Sequence, residues 1–322
     1  MDASSHSLSP NVSPSLHAHE LPLSHLRSAY DAVLLSYGAT LDRLLDVPGE
    51  ATTLNVLSAR AFVNWYNGHP HATPLSSLID LSTIEHVSVI GQGNVALDVA
   101  RMLLKSVDDL SKTDMPEYAL AQLARSQVKR VDVIGRRGPL QLAATNKELR
   151  ELMALPGVAF DVDKPLVDGA TAALEASAAK RAHRAKTRAL KLLADGSRTR
   201  LPDATRSWSL QFLHSPSAFV SRNQSHDPLS PSPLRAIEYD LNELELADQA
   251  DPTRASARRS GKSVAQSTDM AFKSVGYRSI GLPGLPFDER RAVIKNDEGR
   301  VVDDAGKQVS PSTSPQQDRI QG

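Results

Sequence analysis

A glycine-rich segment near residue 91 has the residue types needed to bind the phosphates of a nucleotide. Gly91-Gln92-Gly93-Asn94-Val95-Ala96 matches the pattern G-x-G-x-x-A. The first glycine of this pattern permits a tight turn, the second lets the backbone approach a pyrophosphate, and the small last residue permits close packing of a helix on a strand. The helix start adds free N–H groups and a positive dipole end. Between a strand and a helix the segment predicts a dinucleotide site, whereas the alternative is an ordinary strand-to-helix turn.

Two arginines bear on the choice of nucleotide. Arg136 and Arg137 follow the next predicted strand, in the segment Val133-Ile134-Gly135-Arg136-Arg137-Gly138-Pro139. An NAD-binding fold carries an acidic residue at this position to hold the ribose 2′-hydroxyl. Two guanidinium groups instead attract a 2′-phosphate and can bond to it in a fork. The pair favours NADP(H) over NAD(H), and its alternative interpretation is a solvated turn.

Glu148 has two competing interpretations. Thr145 and Glu148 have the spacing of a capping box, in which the glutamate side chain satisfies a backbone N–H at the start of a helix. Glu148 also lies one turn into a helix that begins just after the arginines, within reach of a ribose or nicotinamide. The residues alone favour the cap and leave the ligand role open.

The elements around these residues predict a strand–helix–strand crossover. His86–Ile90 is a short β-rich run, and Gln92–Lys105 shows apolar residues with helical spacing. A second helix is predicted from Pro116 to Arg125, and Val128–Ile134 is the next strand. Strands joined in this way by helices form a parallel sheet. The predicted fold class is therefore α/β, with a Rossmann-like NADP-binding domain.

Other segments give weaker predictions. Ala29–Leu35 has the composition of a buried strand, and Leu57–Asn67 that of a helix ended by Gly68. Thr145–Leu155 should be helical, and Thr171–Leu193, rich in alanine and basic residues, an exposed helix. The pattern of 165–203 does not fix its placement. The strand candidates in the second half are Trp208–Leu213, Ala236–Leu246 and Thr268–Val275.

Composition narrows the functional classes. The 322 residues carry 37 basic and 37 acidic side chains, which does not indicate a uniform surface for nucleic acid or another polyanion. The chain has no cysteine, so disulfides, thiol catalysis and cysteine-ligated metals are excluded within it. His17, His19, His69 and His71 lack the spacing of a metal site. No apolar run of about 18 residues predicts a membrane span. The basic run Lys180–Lys191 fits either a solvated helix face or a patch for an acidic partner.

Four blocks of the sequence together resemble the adrenodoxin reductase family. The resemblance extends over about Leu26 to Val302 and is densest from Tyr30 to Gly157. The blocks are SARAFVNWYNG (Ser58–Gly68), GQGNVALDVAR (Gly91–Arg101), GRRGPLQ (Gly135–Gln141) and KELREL (Lys147–Leu152). These ferredoxin–NADP+ reductases are flavoproteins with two dinucleotide-binding domains, and they occur in mitochondria and some bacteria.

The resemblance implies a redox function in which cofactors carry the chemistry. NADPH gives a hydride to FAD, and the reduced flavin passes single electrons to a small acidic iron–sulfur protein of the ferredoxin or adrenodoxin type. It also implies that Gln92, Gly93, Asn94 and Val95, next to Gly91, hold the pyrophosphate. Arg136 and Arg137 would hold the 2′-phosphate, and a nucleotide contact falls on Glu148. No catalytic acid, base or nucleophile is expected. A mitochondrial location is implied, although no presequence is recognisable.

The chain also departs from the family pattern. A second G-x-G-x-x-G for FAD and the family's closing Gly-Trp and Gly-Pro-x-Gly-Val-Ile segments are not found. We therefore expect an incomplete FAD-binding domain, and the alternative to a reductase is an NADP(H)-binding module or truncated product. The expected organisation is a disordered tail (1–25), a remnant of the FAD domain (26–47), an NADP-binding domain (48–275), a partial return into the FAD domain (276–302) and a second disordered tail (303–322).

Overall fold

The computed structural model describes residues 21–223, 231–246 and 251–309. The chain divides into two compact units. The larger comprises Leu44–Val275, and the smaller comprises Met1–Arg43 together with Gly276–Gly322. The expected tails 1–25 and 303–322 fall largely outside the described residues.

The described residues form helices and strands in the following chain order. The α-helices are α1 (Leu23–Ala29), α2 (Ala59–Tyr66), α3 (Asn94–Leu104), α4 (Val107–Leu110), α5 (Glu117–Ala124), α6 (Asn146–Met153), α7 (Lys164–Ala176) and α8 (Arg184–Asp195). The strands are β1 (Leu41–Asp42), β2 (Thr53–Leu54), β3 (Val56–Ser58), β4 (His86–Ile90), β5 (Arg130–Ile134), β6 (Val158–Val162), β7 (Arg206–Gln211), β8 (His214–Ser221), β9 (Ser232–Glu245), β10 (Ser256–Ser267), β11 (Met270–Lys273), β12 (Tyr277–Arg278), β13 (Phe287–Asp288), β14 (Val293–Ile294), β15 (Asn296–Asp297) and β16 (Arg300–Val301).

The larger unit is built on a six-stranded parallel sheet. Its strand order is β3-β11-β4-β5-β7-β6, and every neighbouring pair runs parallel. The chain leaves β4, passes through α3, α4 and α5, and returns in β5, which pairs with β4 from His86↔Arg130 to Ile90↔Ile134. The predicted α/β class and parallel crossover are therefore confirmed.

The two faces of the parallel sheet bury different partners, because side chains alternate along each strand. Val87, Val89, Val131 and Val133 pack with the helices in one large core. That core also contains Phe62 and Trp65 of α2, Leu97 and Leu103 of α3, and Leu149 and Leu152 of α6. On the opposite face, Ile90, Ile134 and Ala271 pack against Phe219, Ile237 and Tyr239.

An antiparallel sheet supplies those partners. β9 pairs with β8 on one side and β10 on the other, and also with the short β2 in parallel. The sequence predicted part of β9 as Ala236–Leu246 but gave no signal for β8 or β10. β10 is an edge strand whose side chains are mostly exposed and polar, so it lacks the apolar alternation that identifies a half-buried strand.

The basic region 171–193 is not one exposed helix. It comprises the end of α7, a 3₁₀ turn at Ala178–Arg181, and α8. Leu174, Leu190 and Leu193 are buried in the helical core, so each helix is amphipathic rather than free in solvent. Each helix has a narrow apolar stripe that packs against the helical core, and the many alanines around it make this stripe hard to recognise in the sequence.

The smaller unit also differs from the sequence prediction. Ala29–Leu35 is not a buried strand, since α1 ends at Ala29 and the following residues have no strand pairing. Leu34 is 92% exposed. A strand needs a hydrogen-bonded neighbour, and among residues 21–43 only Leu41–Asp42 pairs, antiparallel with Tyr277–Arg278. Within the described ranges, no helix combines the length and apolarity needed to cross a bilayer.

Candidate nucleotide-binding site

The glycine segment forms the turn between β4 and α3. Gly91 has φ +128°, and a Cβ on it would lie 2.1 Å from the Ser274 carbonyl oxygen. Its N–H donates to the Ile134 carbonyl at 2.8 Å, and Ser274 N–H donates to the Ile90 carbonyl at 2.7 Å. The turn therefore passes tightly between β5 and the residue after β11, where any side chain would collide with backbone.

Gly93 has a different role from Gly91. It is the N-cap residue of α3, in extended conformation, and a Cβ built on it would meet nothing within 4 Å. No side chain caps this helix start in the described chain. The first turn of this 11-residue helix therefore has no side-chain cap, and the space beside Gly93 is open, which is the arrangement that binds phosphate.

Gln92 connects the glycine turn to the arginine turn through its side chain. Its Nε2 donates to the carbonyl of Gln211, the last residue of β7, at 3.0 Å. A Cβ on Gly135 would lie 2.0 Å from Gln92 Oε1, so the absence of a side chain at Gly135 makes room for this amide. The Gln92 side chain therefore bonds to protein, and its carbonyl accepts a hydrogen bond of 3.2 Å from the Ala143 N–H, so the backbone N–H of Gln92 is what remains for a ligand.

Asn94 connects the glycine turn to α6. Its Oδ1 accepts a hydrogen bond of 2.8 Å from the backbone N–H of Thr145, the N-cap residue of α6. Val95, the next residue, is half-buried and packs against the helical core. The two residues thereby fix the direction in which α3 leaves the turn.

The arginine turn has a fixed backbone and free side chains. Arg136 and Arg137 are exposed at the carboxyl end of β5, next to the glycine turn because β4 and β5 are neighbours. His214 N–H donates to the Gly135 carbonyl at 3.0 Å, and Leu213 N–H donates to the Arg137 carbonyl at 3.2 Å. Neither guanidinium forms an ion pair in the part of the chain that the structure describes.

Asn242 of β9 completes this support, and the sequence prediction missed it. Its Nδ2 donates to the Arg136 carbonyl at 2.9 Å and to Ser215 Oγ at 2.8 Å, and the residue is 6% exposed. Its backbone N–H donates to the carbonyl of Leu213, a non-glycine residue at φ +63° in the β7–β8 turn. The one available signal was an asparagine inside a predicted strand, where this residue type is depleted.

Glu148 forms only half of the predicted capping box. Its N–H donates to Thr145 Oγ1 at 3.4 Å, but Thr145 N–H is taken by Asn94 instead of by the Glu148 carboxylate. The carboxylate lies 3.9 Å from the Arg101 guanidinium of α3, which also pairs with Glu151 at 2.9 Å. The capping-box prediction is therefore wrong for the glutamate side chain, because a shorter bond from a neighbouring helix satisfies the same N–H.

Other candidate groups do not assemble into a site. His69 and His71 contact each other at the start of a 3₁₀ helix, Pro70–Ser77, and His17 and His19 lie outside the described residues. Nowhere in the described part do three or more His, Cys, Asp or Glu side chains gather in a way that could hold a metal ion. The concentration of open N–H groups and unpaired arginines at one edge of the sheet is thus the outstanding feature of the larger unit.

A parallel sheet with a glycine turn before its first crossover helix, and a basic turn after the adjacent strand, defines a Rossmann-type dinucleotide-binding protein. No protein-family model matches the chain. It is 40% identical over 296 residues to mitochondrial NADPH:adrenodoxin oxidoreductase of Bos taurus, with 89% of this chain and 56% of the relative covered. It is 38% identical over 276 residues to NADPH-ferredoxin reductase FprA of Mycobacterium tuberculosis, covering 86% and 56%.

A solved structure gives the same result. The chain resembles Mycobacterium tuberculosis FprA in complex with NADPH at TM-score 0.75 and 35% identity, over 88% of this chain and 58% of that one. The chain belongs to the adrenodoxin reductase family. It spans about half the length of the relatives that it matches.

The two glycines of the turn should respond in opposite ways to alanine. Gly91→Ala is expected to lower the free energy of unfolding by at least about 2 kcal/mol, through strain at φ +128° and collision with Ser274. Gly93→Ala is expected to change it by less than about 1 kcal/mol but to weaken NADPH binding at least about tenfold, because its methyl group enters the space that a pyrophosphate needs.

Denaturant unfolding and titration calorimetry check both expectations. Trp65 and Trp208 are the two tryptophans of the chain, and both lie in the larger unit, so their fluorescence follows that unit alone. A Gly93→Ala variant that binds NADPH like wild type would show that the pyrophosphate is not held at the start of α3.

Proposed function

We propose that this chain is an NADPH-dependent flavoprotein reductase of the ferredoxin/adrenodoxin type that binds NADP(H) at the site described above. The observation that carries the proposal is the placement of Arg136 and Arg137, with a braced backbone and no ion partner in the described chain, beside the uncapped start of α3. NADPH binding by a related structure supports it. The proposed NADP-binding domain, 48–275, lies inside the compact unit Leu44–Val275.

Different residues of the site would bind different parts of the nucleotide. The N–H groups of Gly93, Asn94 and Val95 would hold the pyrophosphate. Gly91 allows the tight turn, and the side chain of Gln92 holds the glycine turn next to the arginine turn. The two arginines would hold the 2′-phosphate as charge-assisted donors. A bound nicotinamide would supply a hydride, and the residues of this site would bind and orient the nucleotide.

Glu148 is proposed to contact the ribose or nicotinamide side of the nucleotide. Its carboxylate is 20% exposed and is released from the capping role by Asn94. Arg101 of α3 holds the acidic side of α6 in place through ion pairs with Glu148 and Glu151. Asp98, one turn earlier on α3, pairs with Arg101 and accepts a hydrogen bond from Tyr66. The Glu148 carboxylate is thereby fixed relative to α3, whose first turn would bind the pyrophosphate.

The family resemblance adds FAD and an acidic iron–sulfur partner to the proposal. The described residues contain one strand–glycine–helix turn, so they do not offer a second dinucleotide site for FAD, and we derive no step through that group. The basic residues of α8 are proposed to attract the acidic partner by charge. The names of the eukaryotic relatives suggest a mitochondrial location, although a bacterial relative matches as well.

The single strand–glycine–helix turn also favours a second candidate function, an NADP(H)-binding module without flavin. The visible absorption spectrum distinguishes the two functions. The protein is incubated with excess FAD, desalted, and then mixed with NADPH or NADH without oxygen. The reductase proposal predicts about one equivalent of retained flavin, bleached much faster by NADPH than by NADH. A colourless protein that still binds NADPH would instead support the module.

A further inference from the structure

Lys186 is tied to the chain that leaves the arginine turn. It lies in the first turn of α8, and its ammonium donates a hydrogen bond to the Leu142 carbonyl just after the 3₁₀ turn Pro139–Gln141. The neighbouring Ala185 carbonyl accepts a hydrogen bond of 3.1 Å from Asn146 Nδ2, at the start of α6. These two attachments hold the start of α8 against the segment that connects the arginine turn to α6.

The environment of Lys186 is unfavourable for its charge. Burial lowers the pKa of Lys186, and the positive charge of Arg137 lowers it further. Across the ranges the structure describes, Lys186 forms no ion pair with a carboxylate, and the same holds for Arg136 and Arg137. Like charges held together without a counterion cost free energy, and a bound anion would recover it.

The chemistry of the anion follows from the charges. A phosphate monoester carries about −1.5 to −2 charges near neutral pH and presents three strong acceptor oxygens. Two arginines can bond to it in forks, while a lysine acts as a compact point charge. A carboxylate or a hydroxyl would leave most of this positive charge uncompensated.

We propose that Lys186 is the third cation of the 2′-phosphate site and helps to select NADP(H) over NAD(H). This assignment rests on the proposed function, since it requires the 2′-phosphate to lie at Arg136 and Arg137. In the sequence, Lys186 is one of several cations in the basic run Lys180–Lys191, which by itself predicts only a solvated helix face or a patch for an acidic partner.

The test compares Lys186→Gln with Lys191→Gln. Lys191 lies five positions further along α8, about 140° around the helix, and is exposed. Titration calorimetry measures the affinities of both variants and wild type for NADPH and for NADH, and tryptophan fluorescence follows the stability of the larger unit. Lys186→Gln is expected to weaken NADPH binding about tenfold and NADH binding less than about twofold. Lys191→Gln is expected to change neither, and Lys186→Arg to recover most of the loss.

Two results would overturn the inference while the proposed function stands. An unchanged preference of Lys186→Gln for NADPH would place Lys186 outside the phosphate site. Equal weakening of NADPH and NADH, with a lower unfolding midpoint, would show that Lys186 only attaches α8 to Leu142. Wild-type protein that binds NADPH and NADH equally would reject the proposed function itself, and the third-cation assignment with it.

Discussion

Replacing Arg136 and Arg137 together with alanine is expected to weaken NADPH binding by roughly two to four orders of magnitude, and NADH binding by less than about twofold. Each guanidinium would lose a charge-assisted bond worth about 1.5–3 kcal/mol, and about 1.4 kcal/mol corresponds to a tenfold change in affinity. The selectivity follows because NADH lacks the 2′-phosphate. Unfolding should be unaffected, since both side chains are exposed and the turn is held by backbone contacts and Asn242.

Calorimetric titration with each cofactor measures this change in preference. The double variant Arg258→Ala with Arg259→Ala is a matched control, because it removes two charges from the same unit at exposed positions of β10. The single variants Arg136→Ala and Arg137→Ala show whether the two arginines act together. Equal weakening of NADPH and NADH in the double variant would indicate that the turn itself is disturbed and would reject the 2′-phosphate assignment.

The parts of this site that the sequence predicts are those encoded by short-range patterns. The run from His86 to Val95 gives strand, turn and helix within a few residues, and the arginines follow the next strand directly. Parallel pairing of β4 with β5 then brings the glycine and arginine turns together without further information. A handful of adjacent residues is thus enough to place the proposed phosphate contacts.

The supporting residues could not be predicted in this way, because their partners are distant in the sequence. Asn242 reaches the carbonyl of Arg136 from 106 residues away, and Asn94 takes the N–H of Thr145 from 51 residues away. The capping-box prediction for Glu148 failed for this reason, since a local pattern cannot show that a second helix competes for the same donor. The prediction of a buried strand at Ala29–Leu35 is wrong for a similar reason, because an apolar run becomes a strand only where a partner strand is present.

Asp132 is another residue whose role is set by long-range contacts. It is fully buried at the centre of β5, opposite Ser88 on β4 and Ser209 on β7. Its carboxylate accepts hydrogen bonds from Ser209 Oγ at 2.7 Å and Gln266 Nε2 at 2.6 Å, and lies 2.7 Å from His86 Nε2. Arg130 Nε donates to it at 2.9 Å. These contacts join the parallel sheet to β10 through a single side chain.

Asp132→Ala is therefore expected to lower the free energy of unfolding of the larger unit by about 3–5 kcal/mol, because it leaves the buried Ser209 hydroxyl and the half-buried His86 and Gln266 side chains without this partner. Asp132→Asn keeps the shape but turns one acceptor into a donor, and we expect it to cost about 1–3 kcal/mol. Asp161→Asn is the control, since Asp161 is an exposed carboxylate on β6 in register with Ser209. Urea unfolding followed by tryptophan fluorescence measures all three, and a cost for Asp132→Ala no larger than that of the control would contradict the role of the network.

The pH dependence gives an independent check of the same carboxylate. Burial raises the pKa of Asp132, but hydrogen bonds from His86, Arg130 and Ser209 outweigh burial and hold it below its ordinary value of 3.8. A carboxyl group with a lowered pKa in the folded state stabilises the fold above its unfolded pKa, and this contribution is lost as the pH falls through the folded value. The stability difference between wild type and Asp132→Asn should thus shrink as the pH falls below 3.8. Because the other carboxyl groups titrate alike in both proteins, a difference that stays constant down to acid unfolding would mean that folding does not lower the pKa of Asp132.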